Sequence, residues 1–176
     1  NDEPHASTVN TVRLADELLK GHDSLATVSE APSAGPTGRL LATPVVPLAG
    51  GVEVVAARCL AILAHIAVMF GLVCLGRWHF AEMNLGLAMA TLYLLLPCTA
   101  YDANQVMHVL PAALILWAVN LHHRPMAAGA FLGLACGTMF FASFLVPIWI
   151  GYYWGRGTRR FLLAFSSVTA VLIGSL

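Results

Sequence analysis

The chain has 176 residues, of which 59% are hydrophobic and 10% charged. Soluble globular domains carry about 25% charged residues, so composition excludes one, together with a nucleic-acid binder, a disordered tail and a disulfide scaffold. It predicts a membrane protein. Nine basic and nine acidic residues cancel, but they are unevenly placed. Residues 1–58 hold seven acids (Asp2, Glu3, Asp16, Glu17, Asp23, Glu30, Glu53) against Arg13, Lys20, Arg39 and Arg58. Residues 59–176 hold Glu82 and Asp102 against Arg77, Arg124, Arg156, Arg159 and Arg160.

Residues 1–53 are polar and irregular enough to lie outside a bilayer. Ser7 or Thr8 can cap a short helix running to about Lys20, where Gly21 ends it. Val9, Val12, Leu14, Leu18 and Leu19 give that helix an uneven apolar side, suited to a membrane surface or to the underside of another loop. From Ala31 to Gly51, Pro32, Pro36, Pro44 and Pro47 with several glycines predict a loop or a broken helix.

Apolar runs follow. Spans are expected at about 54–76, 83–101 and 103–121, with Arg58 snorkelling near the start of the first. The uncharged stretch 125–155 has 31 residues, roughly 47 Å as a helix against a hydrocarbon core of about 30 Å. It is therefore either a long tilted helix or a short hairpin. A single crossing puts Arg77 and Arg124 on one face and Arg156, Arg159 and Arg160 on the other. A hairpin breaking near Met139–Ser143 puts all five on one side, which the positive-inside rule favours. The hairpin is preferred. It assigns 77–83, 122–125 and 156–160 to the cytoplasm, and residues 1–53 and 101–105 to the outside. The last apolar run, 161–176, is shorter than the roughly 20 residues a crossing helix needs. With Asn1 where an initiator would stand and no signal-peptide pattern, the chain reads as a piece of a longer protein. The expected fold is all-α: a polytopic integral-membrane helical bundle behind a polar extracytoplasmic segment.

Few residues in these segments carry chemistry. Asp102 lies between two spans, and Gln105 and His108 open the next helix three residues apart, on one face. Carboxylate, amide and imidazole at a helix entrance suit a polar or phosphorylated headgroup. The plainer reading of Asp102 and Gln105 is turn and cap; for His108, the cost of an ionisable group at the hydrocarbon edge favours function. His65, in mid-span, reads as a packing histidine. Measured from their helix ends, His65 and His108 differ in depth by on the order of 10 Å, against a shared metal or haem. His122 and His123 are adjacent, would point apart on a helix, and with Arg124 read as a wet cytoplasmic turn. No zinc-type spacing is present. Cys59, Cys74, Cys98 and Cys136 are widely spaced in apolar segments and read as small buried residues. Gly129, Gly133 and Gly137 repeat every four residues, clearing one helix face for close approach. Asp2 and Glu3 pair two carboxylates in the outer segment. Such a pair is usually only solvated, but beside a spanning helix it can deprotonate a hydroxyl or hold a divalent metal.

Taken together, the pattern resembles the GT-C membrane glycosyltransferases, in particular the polyprenyl-phosphate-sugar-dependent type of glycosyltransferase family 87 and its bacterial relatives. In that family an acidic motif opens a large outer loop. Here Asn1-Asp2-Glu3-Pro4 precedes Val12-Arg13-Leu14-Ala15-Asp16-Glu17-Leu18-Leu19-Lys20-Gly21-His22-Asp23. Ala103-Asn104-Gln105-Val106-Met107-His108 keeps the Gln-Val pair of a family stretch that opens a helix. Arg124-Pro125 followed by Ala128-Gly129-Ala130-Phe131-Leu132-Gly133-Leu134-Ala135 is similar to a third element. Met139 and Ala142 stand where the family has a lysine and a proline.

The resemblance implies a sugar donor on a polyprenyl phosphate and an inverting transfer outside the cytoplasm, in a bacterial inner membrane. Asp2 would be the general base or a metal-bound carboxylate, supported by Glu3, while Asp102, Gln105 and His108 would line the donor headgroup site. The pattern itself specifies no cofactor, and a divalent metal ion enters only as one use of that carboxylate pair. Membrane lipid is the expected surrounding, and nucleic acid is not an expected partner. Two other classes fit the residues. Pro97, Pro111 and Pro147 with His65 and His108 suit a polar-lipid transporter or flippase, and the glycine stripe suits a structural subunit of a membrane complex.

Overall fold

The structure is a computed structural model, and it describes residues 6–19, 35–48, 53–97, 99 and 106–174. Among these there is no strand; the described chain is all-α. Its helices are α1 (Ala6–Leu19), α2 (Gly35–Ala42), α3 (Val45–Leu48), α4 (Glu53–His79), α5 (Met83–Leu95), α6 (Val106–Asn120), α7 (Pro125–Thr138), α8 (Val146–Tyr152) and α9 (Thr158–Gly174). A 3-10 segment, Phe140–Leu145, joins α7 to α8.

One helix among the described residues is long and apolar enough to cross a membrane. Val54–His79 has 26 residues, roughly 39 Å of helix. The apolar helices Met83–Leu95, Val106–Asn120 and Pro125–Thr138 are shorter. In α4 the residues facing other helices are mostly small: Ala56, Ala57, Ala61 and Ala64 are buried. Its large residues face outward, with Ile62, Leu63, Ile66 and Phe70 each more than half exposed. A core in water is built the other way round, with the large apolar side chains inside. Small inward residues instead let neighbouring backbones approach closely.

The chain reverses after α4 through Ala81, which takes a left-handed φ of 57°, while the Glu82 N–H donates to the Gly76 carbonyl at 3.0 Å. α5 then climbs back along α4. The two cross at Gly76 and Gly86, where a Cβ on Gly86 would lie 2.8 Å from the Val73 carbonyl.

α6 runs parallel to α4 and is held to it by two side-chain bonds. Trp117 Nε1 donates to the Ala67 carbonyl at 3.1 Å, and Asn120 Nδ2 donates to the Gly71 carbonyl at 2.9 Å. Ala64 and Val68 pack with Val109 and Ala113. At that pairing the first residue of α6, Val106, lies level with Ala56 and Ala57, about one turn into α4.

The first half of α4 is wrapped by the N-terminal helices. Val12, Ala15, Ala42, Val45 and Val46 form one buried cluster with Ala56, Ala57, Leu60 and the opening of α6. The buried stripe of α1 is Thr8, Thr11, Val12 and Ala15, at helical spacing. Of the apolar side expected from sequence, Val12 is buried and Val9 packs against this cluster, and the smaller Thr8, Thr11 and Ala15 join them. α1 also opens at Ala6, so Ser7 and Thr8 lie inside its first turn.

The 125–155 stretch is divided. α7 stops at Met139, whose backbone is extended (φ −144°, ψ 129°), and the 3-10 segment and α8 lead back to the end from which α7 started. α9 then runs parallel to α7 along its glycines. A Cβ on Gly133 would sit 3.2 Å from the Phe165 carbonyl and 3.3 Å from Val168. Gly129 meets the Phe161 backbone in the same way, and Gly137 meets Leu172.

Candidate functional site

This topology gives the bundle two poles. One carries α1–α3, the start of α4 and the start of α6. The other carries the turns after α4, α6 and α8.

Of the candidate site residues, His108 lies at the first pole. Asp2 and Glu3 lie outside the described residues, as do Asp102 and Gln105. His108 is described. It stands in the first turn of α6 with its side chain exposed, although the next three residues, Val109, Leu110 and Pro111, are buried. α2 closes this pole over α7, with the Thr37 hydroxyl donating to the Leu134 carbonyl at 2.8 Å. Beside that contact runs an open apolar groove of about 240 Å³ lined by Leu40, Leu134, Ser167, Val168, Val171 and Leu172. Next to Leu40 in the chain, Arg39 buries its Nε without a hydrogen-bond partner.

His65 has a partner on the neighbouring helix: its Nδ1 lies 2.8 Å from the Tyr93 hydroxyl, with the rings 5.9 Å apart. The packing role expected of His65 agrees with that contact. The depth expected of it agrees as well. Because Trp117 pairs with Ala67 and Asn120 with Gly71, His108 lies level with residues 58–59 of α4, on the order of 10 Å from His65 along the bundle. Among the described residues no group of three His, Cys, Asp or Glu side chains is placed to hold a metal. Cys59, Cys74 and Cys136 are free thiols; Cys98 lies outside the described residues.

The second pole is tied together around His122. Its Nδ1 lies 2.9 Å from the Val119 carbonyl, and its own carbonyl accepts the Tyr153 hydroxyl. The His122 ring is 5.4 Å from that of His79 and 3.7 Å from that of His123. Residues 121–123 form a turn, not a helix, so the two adjacent imidazoles meet where a helix would have separated them. Beneath this turn, Trp149, Tyr153 and Phe161 stack as a buried aromatic cluster, with Trp149 and Phe161 6.2 Å apart and 9° from parallel.

Sequence reasoning missed Tyr93, Tyr153 and Asn120. Asn120 had a readable signal, since an amide at the end of an apolar run must find a partner. Its Nδ2 does, but its buried Oδ1 has none. Comparison with protein-family models, with curated proteins and with solved structures finds no match for this chain.

Proposed function

We propose that this chain is part of a polytopic integral-membrane glycosyltransferase of GT-C type, acting outside the cytoplasm of a bacterial inner membrane. The donor is a sugar on a polyprenyl phosphate. The observation that carries the membrane placement is the separation of the poles. Arg77, Arg124, Arg156, Arg159 and Arg160 all belong to the turns of one pole, while α1–α3 pack at the other. The outward large residues of α4 support the same placement, because hydrocarbon accepts them and water does not.

The transferase reading rests on the resemblance of the 1–23, 103–108 and 124–135 segments. In it, Asp2 takes the proton of the acceptor hydroxyl as that oxygen attacks the anomeric carbon. The carbon–oxygen bond to the polyprenyl phosphate breaks in the same step, so the configuration inverts. Glu3 supports Asp2, and Asp102, Gln105 and His108 contact the donor headgroup. The transporter and subunit readings lose ground on specific contacts. His65 is bonded to Tyr93, and Pro111 is buried inside a continuous α6. The glycine stripe is covered by α9 of the same chain, so it is already used for packing within the chain.

The test is transfer from a labelled lipid-linked sugar by the full-length protein and its Asp2→Asn variant. The variant is expected to lose at least about a hundredfold, the usual weight of a general base. Equal activity in both proteins removes Asp2 from the chemistry.

A further inference from the structure

We infer that the second pole is a binding surface for the phosphates of anionic membrane lipids. This rests on the membrane placement above and not on the transferase activity. The three turns of the pole are in direct contact: His79 lies against His122, Tyr153 is bonded to His122, and Gly157 comes close to Pro125. All five arginines on these turns are exposed. Their guanidinium groups form no ion pair or hydrogen bond among the described residues, and Glu82 is the one acid described there.

Arg77 lies in the last turn of α4, where it suits the helix dipole, but three of the other four work against the helices they adjoin. Arg124 stands at the N-cap of α7 and makes no side-chain capping bond. Arg159 and Arg160 lie in the first turn of α9, which holds no acid. Positive charge at a helix N-terminus opposes the helix dipole, so these arginines do not serve the fold. An external anion reverses that sign, and the planar guanidinium fork matches a phosphate with paired hydrogen bonds.

The anion belongs to a lipid and not to a soluble acidic partner, because aromatic residues surround the arginines. Trp78 is 59% exposed and Trp154 77%, and Phe80 and Tyr152 are also more than half exposed. Rings with an apolar body and a polar edge settle at the headgroup level of a bilayer. A soluble partner binding the charges would leave those rings in water.

The experiment places the full-length protein in phosphatidylcholine vesicles and reads quenching of tryptophan fluorescence by a minor lipid brominated on its acyl chains. That lipid is either phosphatidylglycerol or phosphatidylcholine, at equal mole fraction. Trp78→Phe and Trp154→Phe variants identify the signal from the pole. One arginine near an anionic surface is worth enough to enrich the lipid about fivefold, so brominated phosphatidylglycerol is expected to quench those two tryptophans more, by a margin that shrinks as salt is raised. Replacing the five arginines by Gln is expected to abolish the margin, while quenching by brominated phosphatidylcholine persists as evidence that the variant is inserted. Equal quenching by both lipids in the unaltered protein overturns the lipid site but leaves the membrane placement standing. No quenching of the two tryptophans by either lipid overturns both.

Discussion

Tyr153 donates its hydroxyl to the main-chain carbonyl of His122, and so fastens the end of α8 to the turn from which α7 sets out. The Tyr153 ring is buried against Trp149 and Phe161. Two substitutions separate the bond from the ring. Tyr153→Phe removes only the hydroxyl and is expected to cost about 1 kcal/mol. Tyr153→Ala also opens a cavity in the aromatic cluster and is expected to cost about 3–5 kcal/mol. Unfolding midpoints of the full-length protein in detergent check the order. If Tyr153→Phe and the parent protein melt together, the bond contributes nothing.

The α7–α9 contact predicts graded responses along one glycine stripe. A Cβ at Gly129 would press on the Phe161 backbone, which cannot move without shifting α9. At Gly133 the nearest atoms lie at 3.2 and 3.3 Å and include the Val168 side chain. Gly129→Ala is therefore expected to cost about 1–3 kcal/mol, as overpacking does, and Gly133→Ala less. Gly151→Ala is the control. Nothing lies within 4 Å of a Cβ there, and its effect should stay within about 0.5 kcal/mol. Equal losses at all three sites would mean that alanine acts through the backbone and not through the α7–α9 contact.

That stripe was legible because its cause is local: spacings of four along one helix announce a face without side chains. The all-helical class was legible for the same reason. What could not be read depends on register between helices. Val109 and Ala113 look alike in sequence, and only the bonds of Trp117 to Ala67 and Asn120 to Gly71 fix which turn of α4 each meets. The depth of His108 relative to His65, on the order of 10 Å, was legible because the two helices start near one level. On α1 the burial of Val12 was legible from hydrophobicity, whereas that of Thr8 and Thr11 was not, because close packing on α4 favours small residues over strictly apolar ones. Of the candidate site, His108 is exposed at the start of α6, while Asp2, Glu3, Asp102 and Gln105 lie outside the described residues, so their roles rest on the quoted motifs.

Asn120 tests the cost of a half-satisfied amide. Its Nδ2 holds the Gly71 carbonyl, and its Oδ1 is buried with no partner. Interhelical bonds of this kind are worth about 0.6 kcal/mol on average in a membrane protein, and leaving a buried polar atom unpaired costs about 1–3 kcal/mol. The two effects oppose each other. Asn120→Leu removes both and is expected to be neutral or mildly stabilising. Asn120→Asp keeps the shape but buries a carboxylate, and is expected to destabilise strongly at neutral pH. Resistance to denaturant in detergent reads both. A large loss in Asn120→Leu would mean that the amide makes more of its surroundings than the one bond to Gly71.

The separation of the poles makes a sharper demand on topology. Single cysteines are introduced at Leu48, Arg124 and Trp154 in a background with Cys59, Cys74, Cys98 and Cys136 replaced. All three sites are exposed: Leu48 is 86% and Trp154 77% accessible, and Arg124 caps α7 at the surface. A membrane-impermeant maleimide added to intact cells is expected to label position 48 and to spare 124 and 154, which react only after permeabilisation. The comparison of 124 with 154 is the informative one. If residues 125–155 crossed once, these positions would lie on opposite sides and label oppositely. Because α7, the 3-10 segment and α8 return to the Tyr153–His122 contact, they must label alike. Labelling of 48 together with 124 would show that the two poles of the bundle do not face opposite sides of a membrane, and the proposed side for the chemistry would fall with it.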